Sequence, residues 1–196
     1  MQRAEVVSYL ATLRQGVPTV VSPGATGQLL EADGDDPLIM YQMDMPYTTP
    51  LCLGIALANG ERKVLAMDGD GSLLAGLGIL STIARYRPPN LIVVVFDNER
   101  YLSPGHGDFA SATATGTDLA RIADASGILK VREVRTLQDA KGALDEAFGL
   151  PGPWAVVAKV DSSDIADPHR QIPRSMDIVE TAVRFKRALN DASYRC

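Results

Sequence analysis

This 196-residue chain has only two cysteines and two histidines, and no apolar run approaches the ~20 residues of a membrane span. Cys52 and Cys196 lie far apart with no metal-type spacing, which argues against a disulfide framework or a cysteine-held cluster. Excess positive charge is also missing: 19 Lys and Arg face 24 Asp and Glu, a formal net charge of −5. With no strongly basic stripe to neutralise phosphates, general nucleic-acid binding is not expected. The opening "MQRAEVVSYLATLRQ" reads as an amphipathic helix and lacks the apolar core of a signal peptide. No membrane partner and a cytoplasmic, reducing location are the resulting expectations.

What is present is ordinary for a globular protein: 46% hydrophobic and 22% charged residues. The length suits one domain, residues 1–196, with a substantial core. Helix and strand signals alternate throughout, with no internal repeat. A helix over 4–13 leads to the β-branched run "VPTVVS" and the turn "PGATG". "PLIMYQM" reads as a buried strand, 48–58 as a small-residue helix, "RKVLAMD" as a strand and 72–85 as a helix. Pro88 and Pro89 stop that helix before "LIVVVFD", apolar throughout as a buried parallel strand should be. Then come a helix with Thr117 as N-cap and Gly127 at its end, strand "KVREV", helix "LQDAKGALDEAFG", strand "WAVVAKV" and a helix over 177–192. Such alternation predicts an α/β fold: a doubly wound, mainly parallel sheet with helices on both faces. Ligands of these sheets bind at the carboxyl ends of strands.

Two short motifs fall at predicted strand ends. In Gly69-Asp70-Gly71-Ser72 the glycines let a ligand approach the main chain, and the following helix start suits a diphosphate. Asp70 offers the carboxylate oxygen that Mg²⁺ or Ca²⁺ prefers. The alternative is a tight Asp-Gly turn capped by Ser72. One helix and one strand later stands Asp97-Asn98. Ends of neighbouring strands lie about 5 Å apart, so Asn98 can bring an amide oxygen to the same cation. The backbone carbonyl of Arg100 would complete the protein ligands.

Gly69-Asp70-Gly71, a 26-residue interval and then Asn98 resembles the signature of thiamine diphosphate enzymes. Asp97 replaces the first Asn of the family pair, as in sulfopyruvate and phosphonopyruvate decarboxylases, and "GDGSLL", "STIARYRPPNL" and "FDNERY" extend the likeness. The resemblance implies bound thiamine diphosphate with Mg²⁺ (or Ca²⁺), and decarboxylation of a small-molecule 2-oxo acid. It places Met45 beneath the cofactor as the apolar prop for its bent form, with the backbone about Met43 accepting from the aminopyrimidine. Met43, Asp44 and Pro46 replace the family's Gly, Ser and Gly. An ordinary core methionine remains the alternative for Met45. Thr26, in "SPGATG", either meets a phosphate or caps a short helix.

Tyr101-Leu102-Ser103-Pro104-Gly105 stands where the related decarboxylases carry a Tyr-Gly-Ser-Thr-Gly-like stretch, putting Tyr101 and Leu102 among the cofactor contacts. His106 follows, either a proton shuttle at the mouth of the site or an exposed loop histidine. His169, Arg170 and Arg174 lie in a second polar loop and read as surface residues, though the arginines could meet an anionic substrate or acidic partner. The family's pyrimidine-side Glu has no counterpart here. The resemblance therefore implies a pyrimidine-binding partner subunit of similar size, in an α2β2 or higher hetero-oligomer. A 2-oxo acid oxidoreductase small subunit, a carboligase subunit and a non-catalytic cofactor-binding module stay open beside the decarboxylase.

Overall fold

The computed structural model describes residues 1–41, 43–103, 107–161 and 177–191. Its backbone is a six-stranded parallel sheet, ordered β2-β1-β3-β4-β8-β7. The strands are β1 (Thr19–Val21), β2 (Ile39–Met40), β3 (Val64–Gly69), β4 (Leu91–Asp97), β7 (Lys130–Val134) and β8 (Trp154–Lys159). Every residue of β4 is buried, as a centrally placed apolar strand requires. Helices α1 (Arg3–Leu13), α2 (Ala25–Asp33), α3 (Thr48–Ala58), α4 (Asp70–Ala75), α5 (Gly78–Tyr86), α6 (Leu119–Ala125), α7 (Leu137–Gly149) and α8 (Ile178–Asn190) complete the α/β order.

Side-chain alternation along the strands divides the core in two. Ile92, Val94 and Val156 face Val6 and Leu10 of α1, Leu30 of α2 and Leu144 of α7. Val93, Val95 and Val157 face Leu53 of α3, Leu80 and Ile83 of α5, Leu119 of α6 and Phe185 of α8. Full burial of each such side chain contributes roughly 1.5–3 kcal/mol. The sheet is therefore covered on both faces, as the continuous apolar strands predict.

Several expected boundaries shift. The helix expected over 72–85 begins two residues earlier, at Asp70, and breaks between Ala75 and Gly78. Gly76 and Gly78 are poor helix formers, and Pro46 packs so closely on Gly76 that an added Cβ would lie 2.7 Å from its Cβ. The strand expected over "PLIMYQM" shortens to Ile39–Met40, although Met43 N still donates to Val21 O at 3.0 Å. The N-cap of α6 is Asp118 rather than Thr117, its carboxylate accepting from Arg121 N at 2.9 Å. Gly127 does follow that helix, in the left-handed region at φ 98°. Part of the expected loop pairs instead as β5 (Arg100–Ser103) with β6 (Gly107–Ala110), antiparallel and apart from the main sheet.

Asn90 fastens the lower end of the sheet. Its buried amide nitrogen donates to the carbonyls of Ala56 (3.1 Å), Asn59 (2.8 Å) and Arg62 (2.8 Å), tying the end of α3 to the start of β4. Asn90→Ala removes this donor from the Ala56 and Arg62 carbonyls, while Asn59 O keeps Arg62 N at 3.2 Å, and costs about 1–3 kcal/mol per buried group left unsatisfied. The variant should unfold at lower urea concentration with unchanged slope; an unaltered midpoint would refute this role.

Candidate active site

The site follows from the pairing of β3 with β4. The two strands run parallel in register, with Asp68 opposite Val95 and Gly69 opposite Phe96. Their carboxyl ends therefore release Asp70 and Asp97 side by side. Both are buried, 2% and 1% exposed. The sheet order reverses between β1 and β3, at the carboxyl end of β3 that carries Asp70, since β1 connects outward to β2 while β3 continues to β4. That is the crevice in which open α/β sheets bind ligands.

The loop after β4 is bent sharply. Glu99 adopts φ 62°, a left-handed conformation uncommon for a residue with a side chain. Its N–H donates to Asp97 Oδ1 at 3.1 Å, an Asx turn, and its carbonyl accepts from Ser111 N at 2.9 Å. This bend directs the Asn98 amide and the Arg100 carbonyl to one point. The amide end of Asn98 lies 3.1 Å from Arg100 O and 3.2 Å from Asp70 Oδ1. With its oxygen on that side, three acceptors meet with no hydrogen between them; turned over, its nitrogen donates to both. The first orientation is the donor set of a hard cation: one carboxylate, one amide and one carbonyl. The chemistry of these oxygens thus fits a divalent ion bound jointly with an oxygen-rich ligand. No group of three His, Cys, Asp or Glu side chains forms a separate metal site among the described residues.

The other carboxylate oxygens are held from behind. Asp70 Oδ2 accepts from Ser111 Oγ at 2.6 Å and lies 3.2 Å from Thr113 Oγ1, which sits 2.8 Å from Asp97 Oδ1. Lys159, opposite Asp97 in the β4–β8 register, pairs with Asp97 Oδ2 at 2.6 Å and with Glu99 at 3.5 Å. Burial works to lower the Lys159 ammonium, but Asp97's hydrogen bond and charge outweigh it and hold its pKa above the usual lysine value. Burial pushes the Asp70 carboxyl above 3.8; Ser111's hydrogen bond opposes this and Asp97's charge reinforces it. Burial likewise raises Asp68, which accepts from Thr49 Oγ1 at 2.7 Å and from Gly69 N at 3.0 Å.

The other expected contacts divide. Met45 is 50% exposed, which rules out the core alternative and leaves it projecting from the loop before α3. Met43 is half-buried against the core, while Asp44 is exposed and its carbonyl accepts from Tyr47 N. Thr26 caps nothing: the N-cap of α2 is Gly24, and the buried Thr26 hydroxyl accepts from Arg3 Nη1 at 3.2 Å. The hydroxyl nearest Gly69 is Ser22, 3.9 Å from where a Cβ would stand. Gly71 is close-packed rather than open, since the Tyr101 ring would lie 2.2 Å from an added Cβ. Ser72, buried in the first turn of α4, has no hydrogen bond of good geometry. α4 is only six residues long, so the helix-dipole argument reduces to the unpaired N–H groups of its first turn. The backbone of Leu102 lies in β5 opposite Asp108. His106, His169, Arg170, Arg174 and Cys196 lie outside the described residues. Sequence reading missed Ser111, Thr113, Thr49 and Lys159. Only Asp97, replacing the family's Asn, signalled that a counter-charge was needed.

Residues 28–158 match the thiamine pyrophosphate enzyme family, in its C-terminal TPP binding domain. The chain belongs to that family. It is 29% identical to the sulfopyruvate decarboxylase subunit beta of Methanothermobacter thermautotrophicus, across 78% of each chain. Identity is 35% to the corresponding subunit of Methanococcus maripaludis, over 68% of this chain and 66% of that one. The phosphonopyruvate decarboxylase of Streptomyces viridochromogenes is 32% identical over 78% of this chain but only 38% of its own length. The fold resembles the X-ray structure of a Mycobacterium smegmatis protein described as thiamin diphosphate-dependent, with a TM-score of 0.66 and 22% identity over 82% of this chain and 32% of that one. A TPP-binding domain is therefore what the sheet and its strand-end loops constitute.

The raised Asp70 carboxyl gives a pH test with a definite sign. The folded chain holds this proton more tightly than the unfolded one, so the contribution to stability is full below pH 3.8 and is lost as pH rises through the raised value. Asp70→Asn removes that loss. Urea unfolding without cation or cofactor, between about pH 4 and pH 8, should show stability declining less steeply in the variant. Parallel profiles would contradict the assignment.

Proposed function

We propose that this chain is the diphosphate- and metal-binding subunit of a non-oxidative 2-oxo acid decarboxylase of the sulfopyruvate or phosphonopyruvate type. The observation that carries the reading is the meeting of Asp70 Oδ1, the Asn98 amide and the Arg100 carbonyl at the ends of two adjacent strands. The decarboxylase names of the relatives support the reaction class. In this reading residues 1–196 are one domain, and Asp70, Asn98 and the Arg100 carbonyl hold Mg²⁺ or Ca²⁺ against the diphosphate. Gly69 and the first-turn N–H groups at Gly71 and Ser72 take diphosphate oxygens, with Ser22 closer to that turn than Thr26. Met45, exposed before α3, supports the cofactor rings, with Met43 and Asp44 beside it; Tyr101 and Leu102 border the same space. His106 remains the proposed proton carrier at the mouth.

Thiamine diphosphate supplies an electron sink for the electrons left when CO₂ departs from a 2-oxo acid. This chain's part is to fix the cofactor's charged end and exclude water around the buried carboxylates. The pyrimidine side belongs to a partner subunit of similar size, in an α2β2 or higher assembly, consistent with relatives named as beta subunits. A cytoplasmic location goes with the reading, and the buried free thiol of Cys52 suits a reducing compartment. No helix among the described residues is long and apolar enough to cross a membrane.

The test combines the chain with a pyrimidine-side α/β partner, thiamine diphosphate and Mg²⁺, and measures CO₂ released from a panel including sulfopyruvate and phosphonopyruvate. Release should require every component. Asp70→Ala should leave the chain folded but lower both cofactor binding and release by about a hundredfold. No release from any 2-oxo acid with any partner would overturn the function.

A further inference from the structure

Ser111 and Thr113 lie far from the glycine-aspartate motif in sequence, yet both hydroxyls point at its carboxylate. They stand on the turn that follows β6, with the 3-10 segment Ala112–Thr115 between β6 and α6. Ser111 is pinned by its own N–H to Glu99 O at 2.9 Å. Its hydroxyl sits 2.6 Å from Asp70 Oδ2 and 2.8 Å from Thr113 Oγ1, which is 2.8 Å from Asp97 Oδ1. Lys159 fixes Asp97 in turn. The four residues of this hydrogen-bonded series, Asp70, Ser111, Thr113 and Asp97, are all buried.

We infer that Ser111 and Thr113 are positioning residues that occupy Asp70 Oδ2, restrict Asp70 to one-oxygen coordination, and set the site for Mg²⁺ in preference to Ca²⁺. This rests on the proposed ligand set of Asp70, Asn98 and Arg100. Ca²⁺ takes six to eight oxygens and readily uses both oxygens of a carboxylate, whereas Mg²⁺ demands a compact octahedron. With Oδ2 engaged, only Oδ1 faces the Asn98 amide and the Arg100 carbonyl. Freeing Oδ2 would let the carboxylate rotate and offer both oxygens, which helps Ca²⁺ more than Mg²⁺.

The experiment titrates Mg²⁺ and, separately, Ca²⁺ into the chain combined with its pyrimidine-side partner and thiamine diphosphate, by calorimetry, in wild type, Ser111→Ala, Thr113→Ser and the Ser111→Ala/Thr113→Val pair. Thermal unfolding confirms that each variant folds. Wild type should bind Mg²⁺ more tightly. The pair should lose about tenfold in Mg²⁺ affinity with a much smaller change for Ca²⁺; Ser111→Ala alone should shift the same way by less. Thr113→Ser, which keeps the hydroxyl, should behave as wild type. A Mg²⁺-to-Ca²⁺ ratio equal in wild type and Ser111→Ala overturns this inference even if the pair fails to fold. A wild-type complex that binds the cofactor but takes up neither ion overturns the proposed ligand set, and the inference with it.

Discussion

Two aspartates buried side by side are the constraint on which the site depends. Parallel pairing of β3 and β4 brings Asp70 and Asp97 to neighbouring strand ends, in surroundings where water solvates neither. An unpaired buried charge is costly, so each oxygen needs a partner. Lys159 supplies one across the β4–β8 register, and the Ser111 and Thr113 hydroxyls supply others. What remains is Asp70 Oδ1, facing the Asn98 amide and the Arg100 carbonyl. In the proposed function, that oxygen is the one that takes the cation.

The surrounding chain holds this arrangement in place. Glu99, held at positive φ by its N–H to Asp97 and its carbonyl to Ser111, joins the loop after β4 to the segment after β6. β5 and β6 pair antiparallel, with Arg100 opposite Ala110 at the end next to the site. Tyr101, at the start of that hairpin, rests on Gly71. Pro46, beside Met45, rests on Gly76. Gly71 in α4 and Gly76 just after it therefore admit close packing by neighbouring segments.

Much of this was legible in the sequence. "LIVVVFD" and "RKVLAMD" are long, apolar and bounded by turn residues, so their identity as buried parallel strands followed from composition alone. The interval between Asp70 and Asn98 spans one helix-and-strand crossover, which is why two distant motifs could be assigned to one point. The second half of the site was not legible, because Ser111 and Thr113 reach Asp70 only through a hairpin whose pairing has no strong period. "PGHGDFASATATG" shows small residues without alternation, and reads as loop. Gly76 and Gly78 mark the break in the helix after Asp70, but 72–85 has the length of a single helix. Lys159 was hidden as the last residue of an ordinary strand, and only its register opposite Asp97 gives it a role.

The central claim is that Asp70, Asn98 and the Arg100 carbonyl converge on one divalent ion at the end of β3 and β4. A crystal of the chain grown with thiamine diphosphate and Mn²⁺ tests it most directly, through the anomalous signal of the metal. The account predicts one anomalous peak within coordination distance of Asp70 Oδ1, Asn98 Oδ1 and Arg100 O. Bound cofactor with the peak elsewhere, or with Asn98 turned so that its nitrogen faces Asp70, would contradict it.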